Sequence, residues 1–314
     1  MSNFLLIHGA WHGGWCWNRV ASRLRSRGHA VFAPTMTGLG ERSHLLSPEI
    51  GLETHIADFV NVVRWERLDR LVLCGHSLGG FVMTGVADRI AERVDALVYL
   101  DAFVPKDGQS PFDLSPEWRT KEILDAARDR GDGWRVPPEH SERWVEHDDT
   151  RAWVDSLVTP HPLRSMSERV RLSGAVDRIA DRSYAIAAKH KPSAFWQFYD
   201  KLKDDPGWHT HSVPALHDAM IDAPDAVCEI LDDAARRGVL GVEMEASVIF
   251  VLARQWGMRG GAIAVVTDSM VEEMSSDAGE WDPQASFVYG PEQIERLARA
   301  GSEIAVVLAE RDAR

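Results

Sequence analysis

The amino-acid sequence predicts an α/β protein with a mostly parallel sheet and a helical cap. Short apolar runs alternate with segments of helical periodicity through the first two thirds of the 314-residue chain, as is typical of strand–helix–strand units. The alternation stops over residues 105–182, which are polar, helical in pieces, rich in tryptophan and without a clear strand. We expect this segment to cover one end of the sheet as an insertion rather than to continue it.

The predicted elements before the insertion follow from two periodicities. Helices are expected where apolar residues recur every three or four positions, and strands where apolar residues form short runs that end near Gly or Pro. In the helix predicted at Leu52–Trp65, for example, Ile56, Phe59, Val60 and Val63 share one face. The predicted strands are residues 4–7, 29–33, 71–74 and 96–100, and the predicted helices are residues 17–27, 52–65 and 78–93.

The alternation resumes after the insertion. Strands are predicted at residues 184–188 and 210–213, and helices at residues 193–202 and 224–236. Asp222 precedes the last helix and is a candidate for its N-cap. These elements complete a single domain that ends by about residue 237.

Composition excludes several classes of protein. The chain is 45% apolar and 26% charged, without a low-complexity tract, which excludes disordered and fibrous proteins. Its 35 basic and 48 acidic residues give a net charge of −13, which disfavours nucleic acids and anionic membranes as partners. Three scattered cysteines, Cys16, Cys74 and Cys228, do not suit a disulfide framework or a zinc knuckle. With neither a basic leader nor an apolar run of about 20 residues, a soluble protein of the cytoplasm is expected.

The motif that carries chemistry is Gly75-His76-Ser77-Leu78-Gly79. It lies between a predicted strand and a predicted helix, the setting of the G-x-S-x-G nucleophile elbow. Small residues are needed on both sides because the serine occupies a strained turn that passes close to neighbouring backbone. Ser77 is therefore the candidate nucleophile.

Two backbone N–H groups are candidates for the oxyanion hole. The residue after the nucleophile, Leu78, supplies one, and Ala10, in the loop after the first strand, supplies the other. His8 and His76 flank these groups, and their places in the motifs favour structural roles.

The general base is expected to be a histidine between the last strand and the last helix. His209, His211 and His217 compete for this role. The first two lie in or beside the predicted strand, on one face of it, whereas His217 follows the strand. We therefore assign His217.

The acid that orients the base is harder to place. The loop after the strand at residues 184–188 is a usual position, but it contains Lys189, His190 and Lys191, and Asp200 lies too far along the next helix. Asp101, at the end of the preceding strand, can reach an imidazole on a neighbouring loop and select its tautomer. Asp101 is the candidate acid, with a cap or turn role at the entry to the insertion as the alternative.

Together these motifs resemble the α/β-hydrolase superfamily, in the branch that holds plant methylesterases, hydroxynitrile lyases and related bacterial esterases. The resemblance runs over residues 4–235 and rests on LIHGAWHGGWCW, TGLGER, GHSLGG, LDAFVP and HDAM. It implies the α/β-hydrolase fold and a serine nucleophile. Lyases of this branch carry a threonine where this chain has Gly9 and a lysine where it has Asp218, so the resemblance favours ester hydrolysis.

The resulting hypothesis is a serine hydrolase that cleaves a carboxylic ester through an acyl-enzyme. It requires neither a metal ion nor an organic cofactor, and its expected partner is a small-molecule ester. A homo-oligomer is compatible with the sequence. A lyase, a non-catalytic ligand-binding protein of the same fold and a bifunctional protein are the alternatives.

Residues 238–314 differ from the rest in composition. They contain 13 acidic residues, six arginines, no lysine and no histidine, for a net charge of −7. Their GVLGVEMEA and GAIAVVTDS segments resemble the C-terminal third of the nucleoside phosphorylase family. The resemblance implies that Met244 and Glu245 correspond to ribose-binding residues and Asp268 to a purine-binding one, as a vestigial nucleoside site. No counterpart of that family's phosphate loop precedes them, so a helix–strand–helix appendage without phosphorolysis is expected.

Overall fold

A computed structural model describes residues 2–237. Its main feature is a six-stranded sheet in the order β2-β1-β3-β4-β7-β8, with every neighbouring pair parallel. The strands of this sheet are β1 (Asn3–Ile7), β2 (Ala30–Phe32), β3 (Leu71–His76), β4 (Val94–Leu100), β7 (Asp181–Ala187) and β8 (His209–Val213). The predicted α/β class and each of these strands are present.

Helices cover both faces of the sheet. The helices outside the cap are α1 (Asn18–Ser26), α2 (Leu52–Trp65), α3 (Gly79–Arg89), α8 (Trp196–Leu202), α9 (Ala219–Asp222) and α10 (Pro224–Arg237). Apolar residues of α1 and α10 pack in one core, and those of α2, α3 and α8 pack in the other. The helix predicted at residues 52–65 has the observed bounds, with Ile56, Phe59 and Val63 buried and Val60 partly buried.

The central strands of the sheet determine where the candidate site lies. All six residues of β3 are buried, as expected for a parallel strand covered on both faces. The carboxyl ends of β1, β3 and β4 lie side by side, so the loops that follow these strands converge on one edge. Those loops contain Ala10, Ser77 and Asp101.

The cap lies between β4 and β7, as the change in sequence pattern predicts. It contains α4 (Pro111–Leu114), α5 (Glu117–Arg130), α6 (Asp148–Asp155) and α7 (Leu163–Ser167). The cap also contains two short strands that the sequence pattern did not show, β5 (Arg135–Val136) and β6 (His161–Pro162), which form an antiparallel pair. Two residues are too few to produce a readable alternation.

The proposed N-cap at Asp222 is wrong. Asp222 is the last residue of α9, and its Oδ2 accepts a hydrogen bond from the N–H of Glu146 at 3.0 Å. A contact across 76 positions cannot be read from local sequence. The proposed boundary at residue 238 and the candidate nucleoside-site residues Met244, Glu245 and Asp268 lie outside the described residues. Within residues 2–237, no helix is long and apolar enough to cross a membrane.

Candidate active site

Ser77 occupies the tight turn predicted for a nucleophile elbow. Its φ is +55°, a left-handed conformation that costs energy for a residue with a side chain. A Cβ on Gly75 would lie 2.7 Å from the carbonyl oxygen of Gly79, and a Cβ on Gly79 would lie 2.6 Å from that of His8. The turn therefore closes only with glycine on both sides, which holds Ser77 at the edge of the cavity.

The two predicted oxyanion donors lie beside the nucleophile. Leu78 immediately precedes α3, and Ala10 follows Gly9, whose added Cβ would come within 2.9 Å of the Cβ of Ser77. Within residues 2–237, neither the Ala10 nor the Leu78 N–H has a hydrogen-bond acceptor. Two unpaired donors near a helix N-terminus suit a developing negative charge.

Asp101 and His217 form the central hydrogen bond of the site. Nδ1 of His217 donates to Oδ2 of Asp101 at 2.6 Å, and the N–H of Ala187 reaches Oδ1 at 3.3 Å. Asp101 is fully buried, and its backbone has a φ of +43° at the end of β4. Burial alone would raise the pKa of this carboxyl, but hydrogen bonds from His190 and His217 outweigh it and hold the pKa below its ordinary value. Asp101 is therefore a carboxylate.

His217 is held on several sides. The ring of Phe195 stacks on it at 5.2 Å with 6° between the planes, and Nε2 of His76 donates to its backbone carbonyl at 3.0 Å. Burial, followed by the nearby His190, lowers the pKa of His217 against the opposing effect of Asp101. The neutral imidazole carries its proton on Nδ1, because the carboxylate facing that atom can only accept, and Nε2 is left as a base.

His190 is a functional-site residue that sequence reasoning did not assign. Its Nδ1 donates to Oδ2 of Asp101 at 2.7 Å, the same oxygen that His217 uses, and the two rings lie 4.5 Å apart. His190 follows β7, in the loop that is a usual position for the triad acid. A titratable residue at that position is the one sequence signal that could have identified His190. Its imidazole hydrogen-bonds to Asp101 and does not take the place of that carboxylate.

The remaining candidates lie away from this cluster or are held by structural contacts. His209 and His211 lie in β8, and neither contacts Asp101. Asp200 is paired with Lys203 at 3.0 Å. His8 accepts from the Met36 N–H at 3.0 Å, consistent with its structural assignment.

A second buried histidine–carboxylate pair lies next to the site, and its histidine, His12, also lines the cavity. Nε2 of His12 donates to Oδ2 of Asp218 at 3.0 Å, and its Nδ1 donates to the carbonyl of Ala10 at 2.7 Å. Burial alone would lower the pKa of His12, but the charge and hydrogen bond of Asp218 outweigh it and raise that pKa. The pair links the loop that carries Ala10 to the loop that carries His217.

The cavity above Ser77 has a volume of about 410 Å³, within the range of small-molecule sites. Its wall is mainly aromatic and apolar, with an ion pair between Arg119 and Glu139. Trp11 and Trp144 stack on each other at 5.4 Å in this wall. The other large apolar residues lining it are Leu78, Phe103, Phe112, Trp118, Ile123, Met166, Phe195 and Leu216.

Comparison with known proteins finds a hydrolase family and individual esterases. The profile of the alpha/beta hydrolase family matches residues 4–230. A carbendazim-hydrolysing esterase of Nocardioides sp. (strain SG-4G) is 41% identical over 240 residues, which are 74% of this chain and 98% of that protein. The probable esterase PIR7A of Oryza sativa subsp. indica is 35% identical over 108 residues, which are 34% of this chain and 41% of that protein.

Solved structures match a similar share of the chain. An extracellular alpha/beta-hydrolase from a Paenibacillus species has a TM-score of 0.68 at 22% identity and covers 75% of this chain and all of that one. The methylesterase MES16 from Arabidopsis has a TM-score of 0.61 at 19% identity, covering 75% of this chain and 99% of that one. At these identities the likeness establishes the fold.

Proposed function

The chain belongs to the alpha/beta hydrolase family, and we propose that Ser77, His217 and Asp101 are the catalytic triad with which it cleaves carboxylic esters. The observation that carries the proposal is the 2.6 Å hydrogen bond from His217 Nδ1 to the buried Asp101. It leaves Nε2 unprotonated on a ring that lines the same cavity as the strained Ser77. The protein is a serine ester hydrolase, and this geometry supports the proposal that these atoms carry its chemistry.

Acylation begins with proton transfer from Ser77 Oγ to Nε2 of His217 as Oγ bonds to the ester carbonyl carbon. The carbonyl oxygen becomes an oxyanion, which the N–H groups of Ala10 and Leu78 bind. The ester C–O bond then breaks, and the alcohol leaves with the proton from His217. Asp101 stabilises the imidazolium that exists between these two transfers.

Deacylation repeats the sequence with water. His217 takes a proton from water as its oxygen attacks the acyl carbon, and the same two N–H groups bind the second oxyanion. The bond to Oγ breaks, and Ser77 recovers its proton from His217. No step requires a cofactor.

We propose that the substrate carries a flat aromatic group. The cavity of about 410 Å³ is lined by Trp11, Phe112 and Trp144, and aromatic walls favour aromatic ligands through stacking and edge contacts. The Nocardioides relative supports this proposal, because its name specifies carbendazim hydrolysis and it matches along nearly its whole length.

A matched panel of methyl esters tests the substrate class. We expect kcat/KM for methyl benzoate to exceed that for methyl butyrate by at least about 10-fold, roughly 1.4 kcal/mol of transition-state binding. Trp144→Ala should reduce this preference more than it reduces turnover of methyl butyrate. Equal kcat/KM values across the panel would contradict an aromatic-selective site.

Two local contacts disfavour the hydroxynitrile lyase alternative. A Cβ on Gly9 would already contact the Cβ of Ser77 at 2.9 Å, so a threonine there does not fit without movement. Asp218, at the position of the lyase lysine, is fully buried and bonded to His12 instead of lining the cavity.

Residues 238–314 are the subject of a separate proposal. Met244, Glu245 and Asp268 would correspond to nucleoside-binding residues without a phosphate site, so we propose that the full chain releases no base from inosine in the presence of phosphate. Phosphorolysis that Glu245→Gln abolishes would make the protein bifunctional.

A further inference from the structure

The acid of the proposed triad is bonded to two imidazoles rather than one. Nδ1 of His190 and Nδ1 of His217 lie 2.7 and 2.6 Å from the same oxygen, Oδ2 of Asp101. All three atoms lie within 4.8 Å of one another. A single proton relay to Ser77 needs only one of these imidazoles, so His190 is a third potential ligand that the reaction does not use.

We propose that Asp101, His190 and His217 form a binding site for a borderline divalent transition-metal ion, with Zn²⁺ as the best fit, and that the bound ion switches hydrolysis off. The inhibitory part of this inference rests on the proposed triad. The binding part rests only on the three ligand atoms.

The donor set selects the class of metal. Two imidazole nitrogens and one carboxylate oxygen, with a fourth position left to water, are a ligand combination that zinc adopts at open sites. The hard ions Mg²⁺ and Ca²⁺ prefer oxygen ligands and are disfavoured by two nitrogens. Cu²⁺ binds such sites tightly by the general order of affinities.

The geometry needs little adjustment. Ligand atoms at zinc distances of about 2.0–2.2 Å lie roughly 3.4 Å apart in a tetrahedron. The carboxylate oxygen would therefore move by less than about 1 Å from each imidazole nitrogen, and the two nitrogens, which lie within 4.8 Å of each other, would approach by at most about 1.4 Å. Both histidines line the cavity, with side chains 18% and 10% exposed, so an ion and a water ligand can enter from that side.

Inhibition follows from the tautomer. A metal ion on Nδ1 of His217 requires that nitrogen to be unprotonated, so the ring proton moves to Nε2. Nε2–H cannot accept the proton of Ser77. The same ion neutralises the Asp101 charge that would stabilise an imidazolium, so both contributions to base catalysis are lost together.

Cobalt provides a readout that does not depend on turnover. The full chain, first dialysed against EDTA, is titrated with Co²⁺ while its visible d–d absorption is recorded. We expect one ion per chain in the wild type and at least about 10–100-fold weaker binding in His190→Asn. Asparagine suits this test because its amide can still donate to Asp101 while it removes the imidazole ligand. His209→Asn, a histidine outside the cluster, should bind as the wild type does.

Ester turnover with and without Zn²⁺ tests the inhibitory half, each variant being compared with its own metal-free rate. We expect EDTA-reversible inhibition of the wild type and of His209→Asn, with His190→Asn requiring at least about 10-fold more Zn²⁺. Co²⁺ absorption that is absent, or that His190→Asn leaves unchanged, would overturn the site. Absorption without inhibition would overturn the switch. A protein that binds Co²⁺ in this way but turns over no ester would instead contradict the proposed function.

Discussion

Nε2 of His12 lies 3.0 Å from Oδ2 of Asp218, and both side chains are almost completely buried. The pair joins two loops that are more than 200 residues apart in sequence, one carrying Ala10, the proposed oxyanion donor, and the other carrying His217. A buried ion pair contributes little relative to an apolar pair of similar shape, but loss of one partner leaves an unpaired charge in the interior.

Asp218→Ala is therefore expected to destabilise the protein. We expect the free energy of unfolding to fall by about 3–5 kcal/mol, measured by urea denaturation of the full chain with tryptophan fluorescence. Asp225→Ala is the matched control, because this carboxylate pairs with Arg23 on the surface at 2.6 Å and is 71% exposed. A similar, small decrease in the free energy of unfolding in both variants would contradict a stabilising role for the buried pair.

Asp101→Asn should lower kcat by roughly 10²–10⁴ while changing KM much less. The asparagine amide can donate to Nδ1 of His217, which favours the wrong tautomer without removing the side-chain volume. Steady-state kinetics on one ester measures the effect. Asp200→Asn is the control, since Asp200 pairs with Lys203 away from the cavity. The opposite ranking of the two variants would move the acid to the later position.

Gly79→Ala should displace Ser77. The new Cβ would lie 2.6 and 2.7 Å from two backbone carbonyl oxygens of β1 and the loop after it, neither of which can move freely. A shift of about 1 Å at a nucleophile can cost on the order of 10² in rate. We expect a loss of that size in kcat/KM with the circular dichroism spectrum retained. Gly108→Ala, at a glycine with φ of +73° and open space around it, should leave kcat/KM nearly unchanged.

Asp222 should make stability depend on pH. Burial, with the nearby Glu146 and Asp218 charges, raises its pKa from 3.8 to about 6, against the hydrogen bond that it accepts from the Glu146 N–H. The folded state therefore holds a proton that the unfolded state releases, and stability is lost as the pH rises from about 4 to 6. Asp222→Asn should raise Tm at pH 8 and raise it much less at pH 4. Scanning calorimetry measures Tm at both pH values. Equal increases in Tm at pH 4 and pH 8 would contradict the assignment of this pH dependence to Asp222.

The sheet and the elbow could be predicted because their signals are local. The helix at Leu52–Trp65 shows its buried face at a spacing of three and four residues, and β3 begins with a short apolar run, residues 71–74, that leads directly into Gly75. Ser77, His217 and Asp101 each follow the end of a predicted strand, which is also a local signal. The structure brings His217 and Asp101 into contact and places Ser77 in the same cavity.

The remaining features depend on contacts between distant residues. The two-residue strands of the cap, the pairing of His12 with Asp218 and the contact of Asp222 with Glu146 have no local period. His190 was visible in sequence at the expected position of a late acid. Its role as a second donor to Asp101 appears only when the ends of β4 and β7 are adjacent.

The most direct test of the proposed triad is active-site labelling with a fluorophosphonate. Peptide mass spectrometry of the labelled full chain should place one phosphonyl group on Ser77, and preincubation with a substrate ester should slow labelling. Ser77→Ala should remove both the label and ester turnover while retaining the fold. A label on another residue, or wild-type turnover by purified Ser77→Ala, would contradict the assignment of Ser77 as the nucleophile.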